Sequence, residues 1–243
     1  YFIGIGGIGM SAIAHYFASN GKQVAGYDKT PSQITKTLEG KGVAIHFEDA
    51  LDNIPIPFLK KEETLIVYTP AIPGNHLELN YFFEHNFRVL KRAEILGKIT
   101  ENTFCLAVAG THGKTTTSSI LGHIMAQVNA TSFLGGISEN YNSNLILGDD
   151  KISVVEADEY DKSFLKLNPD IIVVTSVDAD HLDVYQDAND VKNTFKAFVN
   201  NLKSEGMLLV NKTIDINFKT DNDTLQLSYS SSVKADNYAT NLR

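Results

Sequence analysis

Three residues in the middle of the sequence have the types and spacing needed to hold phosphate. Gly113, Lys114 and Thr115 follow the apolar run 104–109 and precede a stretch that predicts a helix. In a loop of this kind backbone N–H groups surround the phosphates, the lysine adds a positive charge, and the threonine hydroxyl ligates Mg²⁺. The usual pattern has a glycine where this chain has Val108. The segment predicts a nucleotide-binding loop.

Acidic residues follow two further apolar runs. Glu156 comes directly after the run 152–155, and a polar group that ends in His181 follows the run 171–176. Because ligands bind at the carboxyl edge of open α/β sheets, we expect these side chains to lie near the phosphate-binding loop. Carboxylates and one imidazole beside phosphates suit Mg²⁺ or Mn²⁺ better than a structural zinc. The alternative is that the acidic stretch is a solvated turn.

A second glycine-rich loop lies near the start of the chain. Gly4, Gly6 and Gly9 satisfy the pattern G-x-G-x-x-G, and Asp28 follows about 20 residues later, at the end of the next predicted strand. Such a loop holds a pyrophosphate on a helix N-terminus, while the acidic residue meets a ribose hydroxyl. Alone, the pattern suggests NAD or FAD. A tight turn that binds no ligand is the alternative.

The elements that must position these loops alternate between strands and helices. In the first part of the chain we predict strands at 1–5, 23–27, 43–47, 65–68 and 88–90. Helices are predicted after the glycine loop, at 77–85, and from Pro31 with Thr30 as its N-cap. In the second part we predict strands at 104–109, 152–156, 171–176 and 207–211, with a helix at 191–202. This alternation predicts parallel sheets covered by helices.

The predicted fold class is therefore α/β, with two domains that meet near residue 100. Residues 1–100 are expected to form a Rossmann-like domain with a parallel sheet, and residues 101–243 a P-loop ATPase α/β domain. The chain opens with Tyr1 inside an apolar run and ends at Arg243 without a closing element. We therefore expect a trimmed start and an incomplete second domain.

Composition excludes several classes of protein. Hydrophobic residues make up 43% and charged residues 21%, which is typical of globular chains and not of disordered ones. A net charge of −8 gives no general attraction to nucleic acid or to anionic membranes. The single cysteine, Cys105, excludes an internal disulfide, and no apolar run reaches the roughly 18 residues of a membrane span. We expect a cytoplasmic protein that binds neither nucleic acid nor membranes.

Four ordered motifs give the sequence a family resemblance. GIGGIGMS at 4–11, GTHGKTTT at 110–117, EADE at 156–159 and DADHLD at 178–183 together resemble the Mur ligases of peptidoglycan synthesis. The resemblance covers nearly the whole chain. It implies a first domain that binds a UDP sugar, a central ATPase domain, and a C-terminal domain that is absent from this sequence.

The resemblance also implies ligands and a reaction. The cofactors would be ATP and Mg²⁺ (or Mn²⁺), and the substrates UDP-N-acetylmuramate and L-alanine, joined through an acyl phosphate. The double glycine of GIGGIGM and the short run 164–171 favour this alanine-adding branch over the recycling branch, which adds a tripeptide to the same UDP sugar. Alternatives from other classes are an NAD-dependent oxidoreductase and a nucleotide switch that does not catalyse a reaction.

Similarity to the family assigns roles to individual residues. The catalytic residues would be Lys114, Glu156 and His181, and the metal ligands Thr115, Glu156 and His181. The ATP-binding residues would be Gly110, Thr111, His112, Gly113, Lys114, Thr115 and Thr116. The residues that bind the UDP substrate would be Gly6, Gly7, Ile8, Gly9, Asp28, Gly135, Gly136 and Asn144, the last three in a substrate-side loop.

Overall fold

A computed structural model describes residues 1–178, 184–220 and 223–239. The chain forms two compact units, one of Tyr1–Leu96 with Gly135–Leu145 and the other of Gly97–Leu134 with Ile146–Arg243. His181, a predicted metal ligand, lies outside the described residues. Within the described ranges no helix combines the length and the apolar character needed to cross a bilayer.

The first unit contains a five-stranded parallel sheet in the order β3-β2-β1-β4-β5. Its strands are β1 (Phe2–Ile3), β2 (Ala25–Tyr27), β3 (Ala44–His46), β4 (Leu65–Tyr68) and β5 (Arg88–Lys91). Its helices are α1 (Ile8–Ser19), α2 (Gln33–Glu39), α3 (Leu77–Glu84) and the start of α4 (Arg92–Thr100). Short 3-10 helices lie at Leu51–Asn53, Ile56–Leu59 and Lys61–Glu63. This strand order is that of a Rossmann-type sheet, as the sequence predicts.

Two local features of the first unit differ from the sequence prediction. β1 ends at Ile3 because Gly4 takes a backbone φ of +84°, which turns the chain out of the strand. α2 begins after Ser32 and not at Pro31. The Ser32 hydroxyl accepts a hydrogen bond from Thr35 N at 3.2 Å, and the Thr35 hydroxyl accepts one from Ser32 N at 2.9 Å. This reciprocal capping box fixes the helix start two residues later than the predicted Thr30 cap.

A buried polar cluster lies beside the core of this unit. The Tyr1 hydroxyl donates to Glu78 Oε2 at 2.6 Å, and His46 Nε2 lies 3.4 Å from Glu78 Oε1. Asp49 accepts hydrogen bonds from two backbone N–H groups at the start of α3 and lies 3.2 Å from His76 Nδ1. The Glu78 side chain is fully buried, and this burial raises its pKa to about 7.

The other strands form an eight-stranded sheet in the order β13-β12-β11-β10-β6-β9-β7-β8. Its strands are β6 (Phe104–Ala109), β7 (Ala130–Ser138), β8 (Ser143–Ile146), β9 (Asp149–Glu156), β10 (Ile171–Val174), β11 (Met207–Asn211), β12 (Leu225–Ser230) and β13 (Asn237–Tyr238). The helices are α5 (Lys114–Met125) and α6 (Ala188–Val199), with 3-10 helices at Ala126–Val128 and Tyr160–Lys166. The α/β prediction is confirmed in both units.

The order of strands in this sheet determines where a ligand can bind. β6 pairs in parallel with β9 on one side and with β10 on the other. The chain runs from β6 through α5 to β7 on one side of the sheet, and from β10 through α6 to β11 on the other. Ligands of open α/β sheets bind at the carboxyl ends of neighbouring strands whose connections diverge in this way. The predicted phosphate-binding loop follows β6, and Glu156 is the last residue of β9. The fold thus brings the two motifs to one edge of one sheet.

Packing of α6 follows the predicted apolar spacing. Val191, Phe195 and Phe198 are buried, and the ring of Phe164 stacks on that of Phe198 with centroids 4.5 Å apart. The helix begins after Asp187, whose carboxylate accepts hydrogen bonds from two backbone N–H groups of the first turn at 2.8 Å. The helix is therefore shifted a few residues toward the N-terminus of its predicted range.

Candidate nucleotide-binding sites

The phosphate-binding loop depends on glycine at two positions. Gly113 has a φ of +79° and is the N-cap of α5, which starts at Lys114. Gly110 has a φ of +145°, and a Cβ there would lie 2.0 Å from Thr175 Oγ1. No other residue type fits this conformation in this space. The loop therefore leads directly into a helix N-terminus, whose first N–H groups have no partner within the helix and favour an anion.

Lys114 reaches back over this loop. Its ammonium donates to the carbonyl oxygen of Gly110 at 2.6 Å and to Glu159, whose carboxylate oxygens lie 2.9 and 2.7 Å away. The Glu159 side chain is 1% exposed and that of Lys114 is 14% exposed. The predicted phosphate ligand is thus held in the loop by a buried carboxylate that the sequence analysis did not assign to the site.

Thr115 and Glu156 form the second part of this site. The Thr115 hydroxyl donates to Glu156 Oε1 at 2.8 Å, and the Ser118 hydroxyl donates to Glu156 Oε2 at 3.0 Å. A hydroxyl and a carboxylate at a helix N-terminus are hard oxygen donors of the kind that Mg²⁺ takes, with water and phosphate completing its shell. The donor set therefore fits a magnesium ion.

The predicted metal site lies partly outside the described residues. Among the described residues no group of three or more His, Cys, Asp and Glu side chains is arranged to hold a metal ion. The predicted third ligand, His181, falls in the gap between 178 and 184. Of the predicted ligands, the structure brings together Thr115 and Glu156.

Residues after β10 hold the phosphate-binding loop from its other side. The Thr175 hydroxyl donates to the carbonyl of His112 at 2.6 Å, and the Ser176 hydroxyl accepts from the backbone N–H of His112 at 2.7 Å. The Thr111 hydroxyl donates to Asp178 at 3.2 Å. Thr111 and His112 are thus fixed by the neighbouring strand end, while the His112 side chain is exposed. Thr116 is exposed as well.

The glycine loop of the first unit connects β1 to α1. Gly6 N donates to Asp28 Oδ2 at 2.7 Å, and a Cβ at Gly6 would lie 2.8 Å from the same oxygen. The other carboxylate oxygen of Asp28 accepts from Thr30 N at 3.2 Å. Asp28 therefore lies against the glycine loop at the carboxyl edge of the sheet, as the motif predicts, and one of its oxygens holds the loop.

Arg92 is a further residue at this edge. It is the first residue of α4, directly after β5, and a Cβ at Gly9 would lie 2.8 Å from its Nη1 atom. The guanidinium therefore lies against the first turn of α1, where the helix dipole already favours an anion. The signal available in the sequence is a basic residue directly after a predicted strand.

Residues 135–145 form the end of one strand, a turn at 139–142 and the start of the next strand, in the stretch where the sequence predicts a substrate-side loop. Gly135 and Gly136 lie in β7, and Asn144 lies in β8. The Asn144 side chain is buried, and its amide donates to the carbonyl of Ile8 and to the Ser11 hydroxyl. Asn144 therefore holds the first turn of α1, and the role of these three residues in binding the UDP substrate stays a prediction.

Comparison with known proteins gives the chain a family. Residues 1–103 match the Mur ligase family, catalytic domain, and residues 108–243 match the Mur ligase middle domain. A curated protein from Flavobacterium psychrophilum, named UDP-N-acetylmuramate–L-alanine ligase, is 59% identical over 212 residues, which cover 86% of this chain and 47% of that protein. The chain spans about half the length of the curated relatives it matches.

Solved structures agree with this assignment. A UDP-N-acetylmuramate-alanine ligase from Thermotoga maritima aligns with a TM-score of 0.81 at 25% identity, over 96% of this chain and 52% of that one. A UDP-N-acetylmuramate:L-alanyl-gamma-D-glutamyl-meso-diaminopimelate ligase from Neisseria meningitides has the same fold, with a TM-score of 0.80 at 21% identity over 94% of this chain and 76% of that one. On the matches to both of its parts, this chain belongs to the Mur ligase family.

Proposed function

We propose that this chain forms the UDP-sugar-binding and ATP-binding parts of a ligase that joins L-alanine to UDP-N-acetylmuramate in peptidoglycan precursor synthesis. The observation that carries the proposal is the pairing of Thr115 with Glu156 beside Lys114, at the carboxyl edge of β6 and β9. Curated relatives at 45% to 59% identity bear the name of that ligase, which supports the choice of substrates. ATP and UDP sugars are cytoplasmic metabolites, so we assign the reaction to the cytoplasm.

ATP is proposed to bind with its phosphates over the loop 110–116. Backbone N–H groups at the start of α5 would donate to phosphate oxygens, and the Lys114 ammonium would neutralise charge on the β- and γ-phosphates. Thr115 and Glu156 would hold Mg²⁺, with His181 proposed as a ligand from outside the described residues. When bound, the metal ion supplies positive charge to the phosphate oxygens and orients them.

UDP-N-acetylmuramate is proposed to bind at the glycine loop of the first unit. The pyrophosphate would accept hydrogen bonds from backbone N–H groups of residues 6–9 at the N-terminus of α1. Arg92 adds a positive charge beside Gly9. Asp28 would accept a hydrogen bond from a ribose hydroxyl with an oxygen that does not hold Gly6.

The proposed reaction has two steps. The muramyl carboxylate attacks the γ-phosphorus of ATP, the bond from that phosphorus to the ADP oxygen breaks, and an acyl phosphate and ADP form. The amino group of L-alanine then attacks the acyl carbon, and the tetrahedral intermediate expels phosphate and loses a proton to give the amide. Neither step needs a nucleophilic side chain, so the protein contributes alignment and neutralisation of charge.

The runner-up is the recycling ligase of the same family, which adds a tripeptide instead of L-alanine. The fold does not separate the two, because both solved structures above align with similar TM-scores. The names of the closely similar curated relatives favour the alanine-adding enzyme. An NAD-dependent oxidoreductase would explain the glycine loop but gives no role to Lys114, Thr115 and Glu156.

A phosphate-release assay tests the proposal. A protein of the relatives' full length that carries this sequence should release phosphate only when UDP-N-acetylmuramate, ATP, Mg²⁺ and L-alanine are all present. The same protein with the tripeptide in place of L-alanine is the control for the runner-up. Release that depends on the tripeptide and not on L-alanine would replace the proposal with the recycling activity. The 243-residue chain alone is expected to bind nucleotide without turnover.

A further inference from the structure

The ammonium of Lys114 is committed to protein oxygens. It lies 2.6 Å from the Gly110 carbonyl oxygen and 2.9 and 2.7 Å from the two carboxylate oxygens of Glu159. A lysine ammonium has three N–H donors, of which two make hydrogen bonds, to the Gly110 carbonyl oxygen and to Glu159 Oε1, while the contact with Glu159 Oε2 is an ion pair. The phosphates of a nucleotide in this loop would be attracted to the same ammonium. A bound nucleotide therefore competes with the Glu159 carboxylate for the positive charge of Lys114.

Glu159 itself is held firmly in place. The Tyr185 hydroxyl donates to the carbonyl oxygen of Glu159 at 2.6 Å, and Tyr185 is fully buried. Lys162 lies over the Tyr185 ring at 5.3 Å from its centroid and pairs with Asp190 at 3.2 Å. The backbone at Glu159 is thus tied to a packed tyrosine. We therefore expect Lys114 to move when the ammonium exchanges partners, because the Glu159 side chain is buried on an anchored backbone.

The buried Glu159 carboxylate beside this loop lowers the affinity of the loop for phosphate. Its charge repels the negative phosphates, and water screens this repulsion poorly because the Glu159 side chain is 1% exposed. At the same time its attraction holds the Lys114 ammonium close to the loop. Both effects come from the same charge, and they act on nucleotide affinity in the same direction: each favours the nucleotide-free state.

We propose that Glu159 is a positioning residue for Lys114 that sets nucleotide affinity by competing with phosphate for the lysine ammonium. The inference rests on the proposed binding of ATP at the loop 110–116. On this proposal Glu159 keeps the Lys114 ammonium in the loop between turnovers and weakens the binding of ADP. If Glu159 had only a structural role, its removal would weaken nucleotide binding, because a damaged loop binds nucleotide less well.

Glu159→Gln tests the proposal in the 243-residue chain. The amide keeps the shape of the side chain and an oxygen that accepts from Lys114, but it removes the charge. Calorimetric titration with ADP and with ATP in the presence of Mg²⁺ should show binding about three- to tenfold tighter than in the unmodified chain. Asp161→Asn is the matched control. It removes an exposed charge of the same acidic segment, whose carboxylate accepts from Ser163, and should change affinity little.

The outcomes separate this inference from the proposed function. Tighter binding by Glu159→Gln with an unchanged control supports it. Equal or weaker binding by a variant whose thermal unfolding matches that of the unmodified chain overturns the inference alone. If the unmodified chain binds neither ADP nor ATP, the proposed function fails and the inference fails with it.

A second measurement needs no variant. In a crystal structure of the unmodified chain with ADP or ATP, Lys114 Nζ should lie within hydrogen-bond distance of a phosphate oxygen, with at least one of its contacts to Glu159 lost. A phosphate group in the loop with both Glu159 contacts intact would overturn the proposal, even if Glu159→Gln cannot be purified in folded form.

Discussion

The Thr115 hydroxyl and the Glu156 carboxylate lie 2.8 Å apart, although 41 positions separate them in the chain. Thr115 is in the first turn of α5 and Glu156 is the last residue of β9, and the parallel pairing of β6 with β9 brings both to one edge of the sheet. The contact is an arrangement of hard oxygen donors beside a loop that favours anions. The most direct predictions concern this pair.

Glu156→Gln should remove the dependence of nucleotide binding on Mg²⁺. The amide oxygen is a weaker ligand for the ion and carries no charge to balance it, so adding Mg²⁺ should no longer tighten ATP binding. In a full-length ligase the same change should lower the rate by about 10²–10³. Calorimetry of ATP binding across a Mg²⁺ titration measures the effect. Asp150→Asn, an exposed acid at the opposite end of β9, is the control, and an unchanged Mg²⁺ response in Glu156→Gln would contradict the metal assignment.

Lys114→Met should destabilise the second unit as well as weaken nucleotide binding. It leaves the Glu159 carboxylate buried without the cation 2.7 Å away, and removal of one partner of a buried pair costs about 3 kcal/mol. The double change Lys114→Met with Glu159→Gln should recover most of that loss, because no unpaired charge remains buried. Urea unfolding of the three proteins measures it. Equal stability of the single and double variants would show that the pair does not contribute to folding.

The parts of the site that the sequence predicts are those with local signals. Gly113 and Lys114 stand between a predicted strand and a predicted helix, so the loop follows from neighbouring residues alone. Glu159 is different, because its contact with Lys114 spans 45 positions and nothing near it in the sequence marks a partner. Within a run of several acidic residues, only the path of the folded chain selects which one meets the lysine.

The strands around residues 130–146 were missed for a related reason. This stretch contains two consecutive glycines and several polar residues, which lower strand propensity. β7 forms because it pairs with β9, with a bulge between Ala130 and Thr131. Asn144 is buried by contacts with Ser11, 133 positions away. Tertiary pairing overrides the local preference here, and the buried Asn144 amide holds the first turn of α1.

Stability of the first unit should depend on pH through Glu78. Burial raises its pKa to about 7 in the folded chain, above the 4.5 that is ordinary for a glutamate, despite the hydrogen bond from Tyr1, which acts in the opposite direction. An acid with a higher pKa in the folded state binds its proton more tightly there. Its contribution to folding is therefore fully present below about pH 4.5 and is lost as the pH rises through about 7.

Glu78→Gln isolates this effect. The amide stays neutral and its oxygen still accepts from Tyr1, so the variant should gain stability relative to the unmodified chain between pH 5 and 8, by at most about 3 kcal/mol. Glu84→Gln, on the exposed face of the same helix, should show no such gain. Urea unfolding at both pH values measures the difference. A constant difference between Glu78→Gln and the unmodified chain would show that Glu78 does not titrate in this range.

The last prediction concerns the identity of the ligand at the glycine loop, where Gly7 offers a test that does not disturb the fold. A Cβ at Gly7 would meet its nearest atom at 3.5 Å, an ordinary contact, so Gly7→Ala should leave stability unchanged. Gly9 is less suitable, because a Cβ there would displace Arg92. If the pyrophosphate of a UDP sugar approaches the backbone of this loop, the added methyl group should weaken its binding about tenfold or more.

Calorimetric titration should show saturable binding of UDP-N-acetylmuramate to the unmodified chain and none of NAD or NADP. Gly7→Ala should lose most of that binding and keep its affinity for ATP, while Gly74→Ala, where a Cβ meets nothing within 4 Å, should behave like the unmodified chain. Binding of NAD without binding of the UDP sugar would instead make the first unit a dinucleotide domain, despite the family of the chain.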